Sequence, residues 1–409
     1  MLIIGGGFSG LFTACLAANH DLDTAVVMRG RGGLSLTHGA IELFDRASPS
    51  GAISNLKPPH PYALVGKEHL VDGLRDFLRI SSEAGIEYRG GRSTRKEFLT
   101  ATGSTRRASY LPSAYAAGEL DQIGAGVALG WFEELRDFQA HYAALQSAYV
   151  LGYRPDVITL PLLQPFSGRE IYGLDAARTF DDLEWTVENA RAWKPHLVGV
   201  KALGLPAILG YVDHTEVRSL MEEILNIPVF ELPTLPPSVP GLRLERALRG
   251  YAQNHGVRFI EGPTAQGRIQ KINGQAMAAG VVLDAAGRQT SIDSDNVVLA
   301  TGSFLHGGLE STQRGHLLEP VFNIPVDANQ DRSTWSGRSI FSAQKFAHFG
   351  ISVNERMQPL DAHQDTLLEN LYAVGGLLKG ADRTLEGSRQ GIDIASAHCA
   401  VHHLCRSLA

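Results

Sequence analysis

Leu2-Ile3-Ile4-Gly5-Gly6-Gly7-Phe8-Ser9-Gly10 opens the chain. The three apolar residues read as a short buried strand, and residues 8–20 read as a helix. Between them lies Gly-x-Gly-x-x-Gly. Alone that pattern is weak, but a strand before it and a helix after it are the context it requires. Each glycine has its own reason: Gly5 permits the tight turn, Gly7 lets backbone approach a phosphate, and Gly10 lets helix and strand pack closely. The helix start offers unpaired N–H groups and the positive end of its dipole to an anion, with Ser9 placed beside it. Residues 24–28, Thr-Ala-Val-Val-Met, read as a second strand. Strand, glycine turn, helix and strand make a βαβ unit.

The end of that second strand carries a departure. A dinucleotide site usually has Asp or Glu there to bind a ribose hydroxyl. Here the position reads Met28-Arg29. A mononucleotide flavin, FMN, needs no such contact. FAD held in another way, or a 2′-phosphate met by Arg29, are the alternatives.

Two later segments point to the same cleft. Val297-Val298-Leu299-Ala300-Thr301-Gly302 is a buried strand ending in Ala-Thr-Gly, a pattern common in flavoproteins with two dinucleotide-binding-type domains. Asn370-Leu371-Tyr372-Ala373-Val374-Gly375-Gly376 is a short strand near the C-terminus, with Gly376 where such proteins often place an Asp. Gly387 to Gly391 leads into a closing helix, whose N-terminus would stabilise negative charge on a reduced ring. The loop Gly32-Gly33-Leu34-Ser35-Leu36-Thr37-His38-Gly39 follows the second strand. The expected cofactor contacts are therefore Gly5, Gly7, Ser9, Gly10, Ser35, Thr37, Gly39, Thr301, Gly302, Gly375, Gly376 and Gly391, with His38 a possible proton donor. No residue pair stands out as a catalytic acid and base.

The middle of the chain differs. Strands are expected at 126–130, 156–160, 197–200 and 229–232, with helices at 132–149, 181–193 and 216–225. Such alternation implies a largely parallel sheet of its own. It ends at Leu232-Pro-Thr-Leu-Pro-Pro-Ser-Val-Pro240, whose prolines exclude helix interior and central strand. The expected fold is α/β: a Rossmann-type flavin-binding domain from residues 1–95 and 241–409, and a large inserted α/β domain at 96–240. The basic stretch 89–107 reads as a solvated loop, or as a contact for an anion or a partner.

Composition narrows the classes. Among 409 residues the net charge is −6, which argues against a general nucleic-acid footprint. Cys15, Cys399 and Cys405 are the only cysteines, too few and too scattered for a disulfide framework or an iron–sulfur cluster. No apolar run is long enough for a membrane helix, and no targeting segment is evident. His398, His402 and His403 share the last helix with Cys399 and Cys405, but spacing places no further ligand, so no metal is expected.

Several stretches together resemble the B-type subunit of the anaerobic glycerol-3-phosphate dehydrogenases. The sharpest is Leu232-Pro-Thr-Leu-Pro-Pro-Ser-Val-Pro-Gly-Leu-Arg-Leu244, and next is Leu299-Ala-Thr-Gly-Ser-Phe-Leu-His-Gly-Gly-Leu309 with Glu319-Pro320 beyond. His60-Pro-Tyr-Ala-Leu64, Asp137-Phe-Gln-Ala-His141 and Glu369-Asn-Leu-Tyr-Ala-Val-Gly375 follow the same family in order. The turn Gly387-Ser-Arg-Gln-Gly391 departs from it, being poorer in glycine. The resemblance implies an FMN-bearing oxidoreductase subunit in glycerol 3-phosphate oxidation to dihydroxyacetone phosphate. It implies a separate catalytic FAD subunit as electron donor, and an iron–sulfur subunit that anchors the complex to the inner face of the cell membrane and passes electrons to quinone. The chain itself would be cytoplasmic and peripheral. Two other readings stay open: a self-sufficient flavin oxidoreductase meeting a small anion through Arg106, Arg107 or Arg314, and a structural subunit with a decayed nucleotide site.

Overall fold

The computed structural model describes every residue of the chain except Ser167, Ala286, Arg314, Gln330 and Ala409. The suggested anion contact at Arg314 therefore lies outside the described residues. Two compact units are present: Met1–Gly33 with Glu42–Ile80 and Leu248–Ala409, and Leu34–Ile41 with Ser81–Ala247. These divisions differ from the expected breaks at 95/96 and 240/241. The reason is hydrogen bonding that spacing does not reveal. Tyr88–Gly90 pairs antiparallel with Tyr110–Pro112. Ile41 N–H donates to the Tyr110 carbonyl at 2.9 Å, and Ser238 N–H to that of Ser35 at 2.7 Å. Both ties draw their segments into the second unit.

The first unit is built on five parallel strands, in the order Arg258–Glu261, Ala25–Met28, Leu2–Ile4, Val297–Leu299, Leu371–Ala373. Leu-Ile-Ile, Val-Val-Leu and Leu-Tyr-Ala are buried along their whole length. Continuous apolar runs of this kind suit a parallel sheet covered on both faces. The helix Phe8–Asn19 is buried at every residue but the last, and it packs against the closing helix Arg389–Leu408. Phe12 is fully buried, with its ring centroid 5.9 Å from that of Phe77. A side chain of this kind contributes about 1.5–3 kcal/mol by burial. A second helical run, Pro61–Glu83, is broken at Gly66, where φ is +78°. Three antiparallel strands, Thr264–Ile272, Gln275–Ala285 and Arg288–Asp293, form a separate sheet.

The second unit holds four parallel strands, ordered Val229–Leu232, Ala202–Pro206, Val127–Trp131, Asp156–Thr159. The parallel expectation is met, with two local corrections. The strand expected at 197–200 lies at Ala202–Pro206, because Lys194–Leu197 forms a 3-10 turn. Val198 is 88% exposed there, whereas Leu203 and Leu205 are fully buried. The helix expected at 132–149 runs from Ala140 to Leu151. Phe132, Leu135 and Phe138 are core residues, but they lie ahead of it in irregular chain. Nor is the basic stretch a loop: Lys96–Leu99 and Thr105–Ala108 form an antiparallel hairpin. Glu97 accepts from the Thr105 hydroxyl at 2.6 Å and pairs with Arg107, while Lys96 pairs with Glu119.

Candidate flavin site

The glycine turn lies at the carboxyl ends of the parallel strands. Gly5 N–H donates to the Val27 carbonyl, and Ala300 N–H to that of Ile4, both at 2.8 Å. Gly5 has φ +118°, and a Cβ there would lie 2.2 Å from the Ala300 oxygen. A Cβ at Gly10 would lie 2.0 Å from the Gly5 oxygen. These two glycines are thus required by packing. Gly7 is different. It is the N-cap of the helix Phe8–Asn19, with φ −78°, and no side chain among the described residues caps that helix. Among the described residues, a Cβ at Gly7 would meet nothing within 4 Å beyond its chain neighbours. The first amides of a helix have no intrahelical acceptor. Open space in front of uncapped amides fits a phosphate group.

Met28, at the end of its strand, is buried, and its Cε lies 2.6 Å from where a Gly6 Cβ would stand. The position where a dinucleotide site would carry its acid is therefore filled by packing. Glu261 is its Cα partner on the neighbouring strand, and Arg249 holds that carboxylate below the usual range.

The strand end Ala300-Thr301-Gly302 contributes a second feature. The Thr301 hydroxyl is buried without a hydrogen-bond partner among the described residues. Buried polar groups are nearly always paired, so such an atom is consistent with a ligand group. Gly302 has φ +79° and lies against His306, whose Nε2 is 2.4 Å from where a Gly33 Cβ would stand. Burial, and next the Arg383 charge, lower the His306 pKa from its ordinary value.

Gly376 occupies the position where related flavoproteins often have Asp. A Cβ there would lie 2.4 Å from an Arg383 guanidinium nitrogen. A carboxylate nearby is Asp393, in the first turns of the closing helix. Asp393 pairs with Arg383 and accepts a 2.7 Å hydrogen bond from the Ser9 hydroxyl. Gly375, with φ +69°, leaves room for both, since a Cβ there would lie 2.0 Å from Ser9 Oγ. The Ser9 hydroxyl thus orients Asp393 and does not face the open space at Gly7. The Arg383 Nε is buried and has no partner among the described residues.

The remaining expected residues make contacts of their own. Gly391 packs on Tyr62: its Cβ would lie 1.9 Å from the phenolic oxygen, and its N–H donates to the Glu42 carbonyl. Bare backbone is required there by the tyrosine. Arg389 lies 3.8 Å from the Glu42 carboxylate. Ser35, Thr37 and Gly39 belong to the second unit. The Thr37 hydroxyl donates to the Leu34 carbonyl at 2.9 Å, closing its own turn, and the Gly39 carbonyl accepts from Tyr88 at 2.7 Å. His38 Nδ1 accepts from Ala40 N–H at 3.2 Å.

The structure therefore gathers Gly5, Gly7, Ser9, Gly10, Thr301, Gly302, Gly375 and Gly376 in one unit, and adds Arg383, Asp393 and His306. Asp393 had a visible signal: a lone carboxylate within Ile392-Asp-Ile-Ala-Ser-Ala397. Arg383 and His306 had none of comparable strength.

Histidines also gather on and beside the closing helix. His69 packs beside the closing helix, with its Nδ1 3.0 Å from His398 Nδ1. Ligand atoms of His69, Cys399 and His403 lie within 4.8 Å of one another. Burial lowers the pKa of His69 and His403, and brings that of His398 to about 4.

An FAD binding domain model matches residues 1–391. A probable B-type subunit of anaerobic glycerol-3-phosphate dehydrogenase from Halobacterium salinarum is 30% identical, over 98% of this chain and 96% of its own length. The corresponding B-type subunit of anaerobic glycerol-3-phosphate dehydrogenase from Pectobacterium atrosepticum is 30% identical, over 97% and 96%. That of Vibrio cholerae serotype O1 is 27% identical, over 100% and 96%.

Proposed function

Because this chain belongs to the FAD binding domain family, and to the B-type subunit family of anaerobic glycerol-3-phosphate dehydrogenases, we propose that it carries FMN and relays electrons within a larger dehydrogenase. It is a flavin-dependent oxidoreductase subunit, and the name of its relatives implies partner subunits. The donor is a catalytic FAD subunit that oxidises glycerol 3-phosphate to dihydroxyacetone phosphate. The acceptor is an iron–sulfur subunit at the inner face of the cell membrane. No helix among the described residues is long and apolar enough to cross a membrane.

The observation that carries the choice of FMN is buried Met28, standing where an adenosine ribose would need a carboxylate. The amides that follow Gly7 would hold the single phosphate, with Thr301 and Arg383 offering polar groups to the flavin. The flavin supplies reversible electron and proton uptake; this chain's residues bind and orient it. Asp393 holds Arg383 in place, and Ser9 holds Asp393. A second reading, FAD, is favoured by Glu261, which the parallel register sets beside Met28.

Flavin released by denaturing the purified chain decides between them by chromatography and mass. FMN at one per chain is expected. FAD would transfer the ribose contact to Glu261 and overturn the mononucleotide reading. The relay predicts weak glycerol 3-phosphate oxidation by the chain alone and full activity after addition of a catalytic subunit. Full activity without partners would refute it.

A further inference from the structure

We propose that His69, Cys399 and His403 form a site for a borderline divalent transition metal of the zinc class. Their ligand atoms already converge within 4.8 Å. A tetrahedral ion with bonds of about 2.0–2.3 Å holds its donors roughly 3.3–3.8 Å apart, so closure needs shifts of only about 1 Å. Cys399 and His403 are separated by one helical turn, which sets both on one face of the closing helix. His69 comes from the helical run that packs beside it, the ligand that sequence spacing could not supply. Two imidazoles and a thiolate are a donor set for zinc, cobalt or copper, and not for the hard ions that prefer oxygen.

The surroundings are those of a metal-binding histidine. His69 Nδ1 faces His398 Nδ1, which leaves Nε2 of His69 to the metal. His398 Nε2 in turn lies 3.7 Å from the Asp76 carboxylate. A ligand imidazole whose other nitrogen is held by a second group, itself near a carboxylate, has its tautomer and ring orientation fixed. The Cys399 thiol donates to the Glu355 carbonyl at 3.2 Å. Metal binding breaks that bond, forms metal–sulfur, and releases the thiol proton to water. His403 is only half-buried, so water has access to a fourth position. The ion would clamp the closing helix, which carries Asp393, to the helical run Pro61–Glu83.

The full chain with its flavin is stripped with a chelator and dialysed against Zn²⁺ alone, then against Co²⁺ alone. The expected result is one ion per chain, a thermal midpoint that rises with Zn²⁺, and a thiolate-to-cobalt charge-transfer band. Cys399→Ser should abolish the band and weaken Zn²⁺ binding at least tenfold. His403→Gln, at a half-buried position, should weaken binding similarly while the flavin content stays unchanged. No uptake by the stripped wild-type chain would overturn the proposal. So would uptake that both variants leave at the wild-type affinity.

Discussion

Gly7→Asp should act in opposite directions on folding and on flavin binding. Gly7 has φ −78° and ψ −175°, a conformation open to any residue, and its Cβ direction is empty to 4 Å. Aspartate is a favoured N-cap, and it accepts from the next amides of the helix, so the apo protein should gain a few tenths of a kcal/mol over glycine. The same carboxylate enters the space assigned to phosphate. Two unit charges about 5 Å apart, at an effective dielectric near 20, repel by about 3 kcal/mol. That is roughly a hundredfold in affinity, before counting the amides the new side chain occupies. Urea unfolding of the apo protein and fluorescence titration with flavin measure the two effects. Gly10→Ala is the contrast: its methyl would lie 2.0 Å from the Gly5 oxygen, so it should destabilise the fold itself, by about 1–3 kcal/mol or more. Wild-type flavin affinity in a folded Gly7→Asp protein would refute the placement of the phosphate.

Asp393→Ala leaves the mostly buried Arg383 charge without its partner and should cost about 3 kcal/mol of stability, with loss of flavin; denaturant midpoints with and without flavin check it. Glu231→Gln removes the charge that faces buried Arg243, and should destabilise the second unit by about 3–5 kcal/mol, read by hydrogen exchange in its sheet. Burial raises the Glu319 pKa from 4.5 to about 7. Below pH 4.5 the native and unfolded carboxyls are both protonated; as pH rises toward 7 the unfolded one ionises first, so stability falls across that window. Glu319→Gln should flatten this decline, seen as a urea midpoint that changes less than wild type between pH 4.5 and pH 7.

Much of the frame was legible from local pattern. A glycine turn between an apolar run and a helix has few other uses, and Leu2–Ile4, Ala25–Met28 and Val297–Leu299 are strands of one sheet. The strand Val229–Leu232 was likewise readable, since β-rich residues meet a proline block there. Errors came where hydrophobicity alone guided the reading. Phe132, Leu135 and Phe138 have helical spacing, yet they reach the core from irregular chain. At 197–200 a short apolar stretch predicts a strand, although Val198 faces solvent.

The class of fold, the strand–glycine turn–helix unit and the family could all be read from the chain alone, because each rests on residues adjacent along it. Which groups meet in the cleft depends on three-dimensional packing. Asp393 pairs with Arg383 and Ser9, Gly391 makes room for Tyr62, and in the second unit Thr37 closes its own turn. Packing also brings His69 to the histidines of the closing helix. Ser9 and Asp393 share a hydrogen bond across 384 positions. Such a contact depends on how helices pack on a common sheet, and local spacing carries no record of that packing.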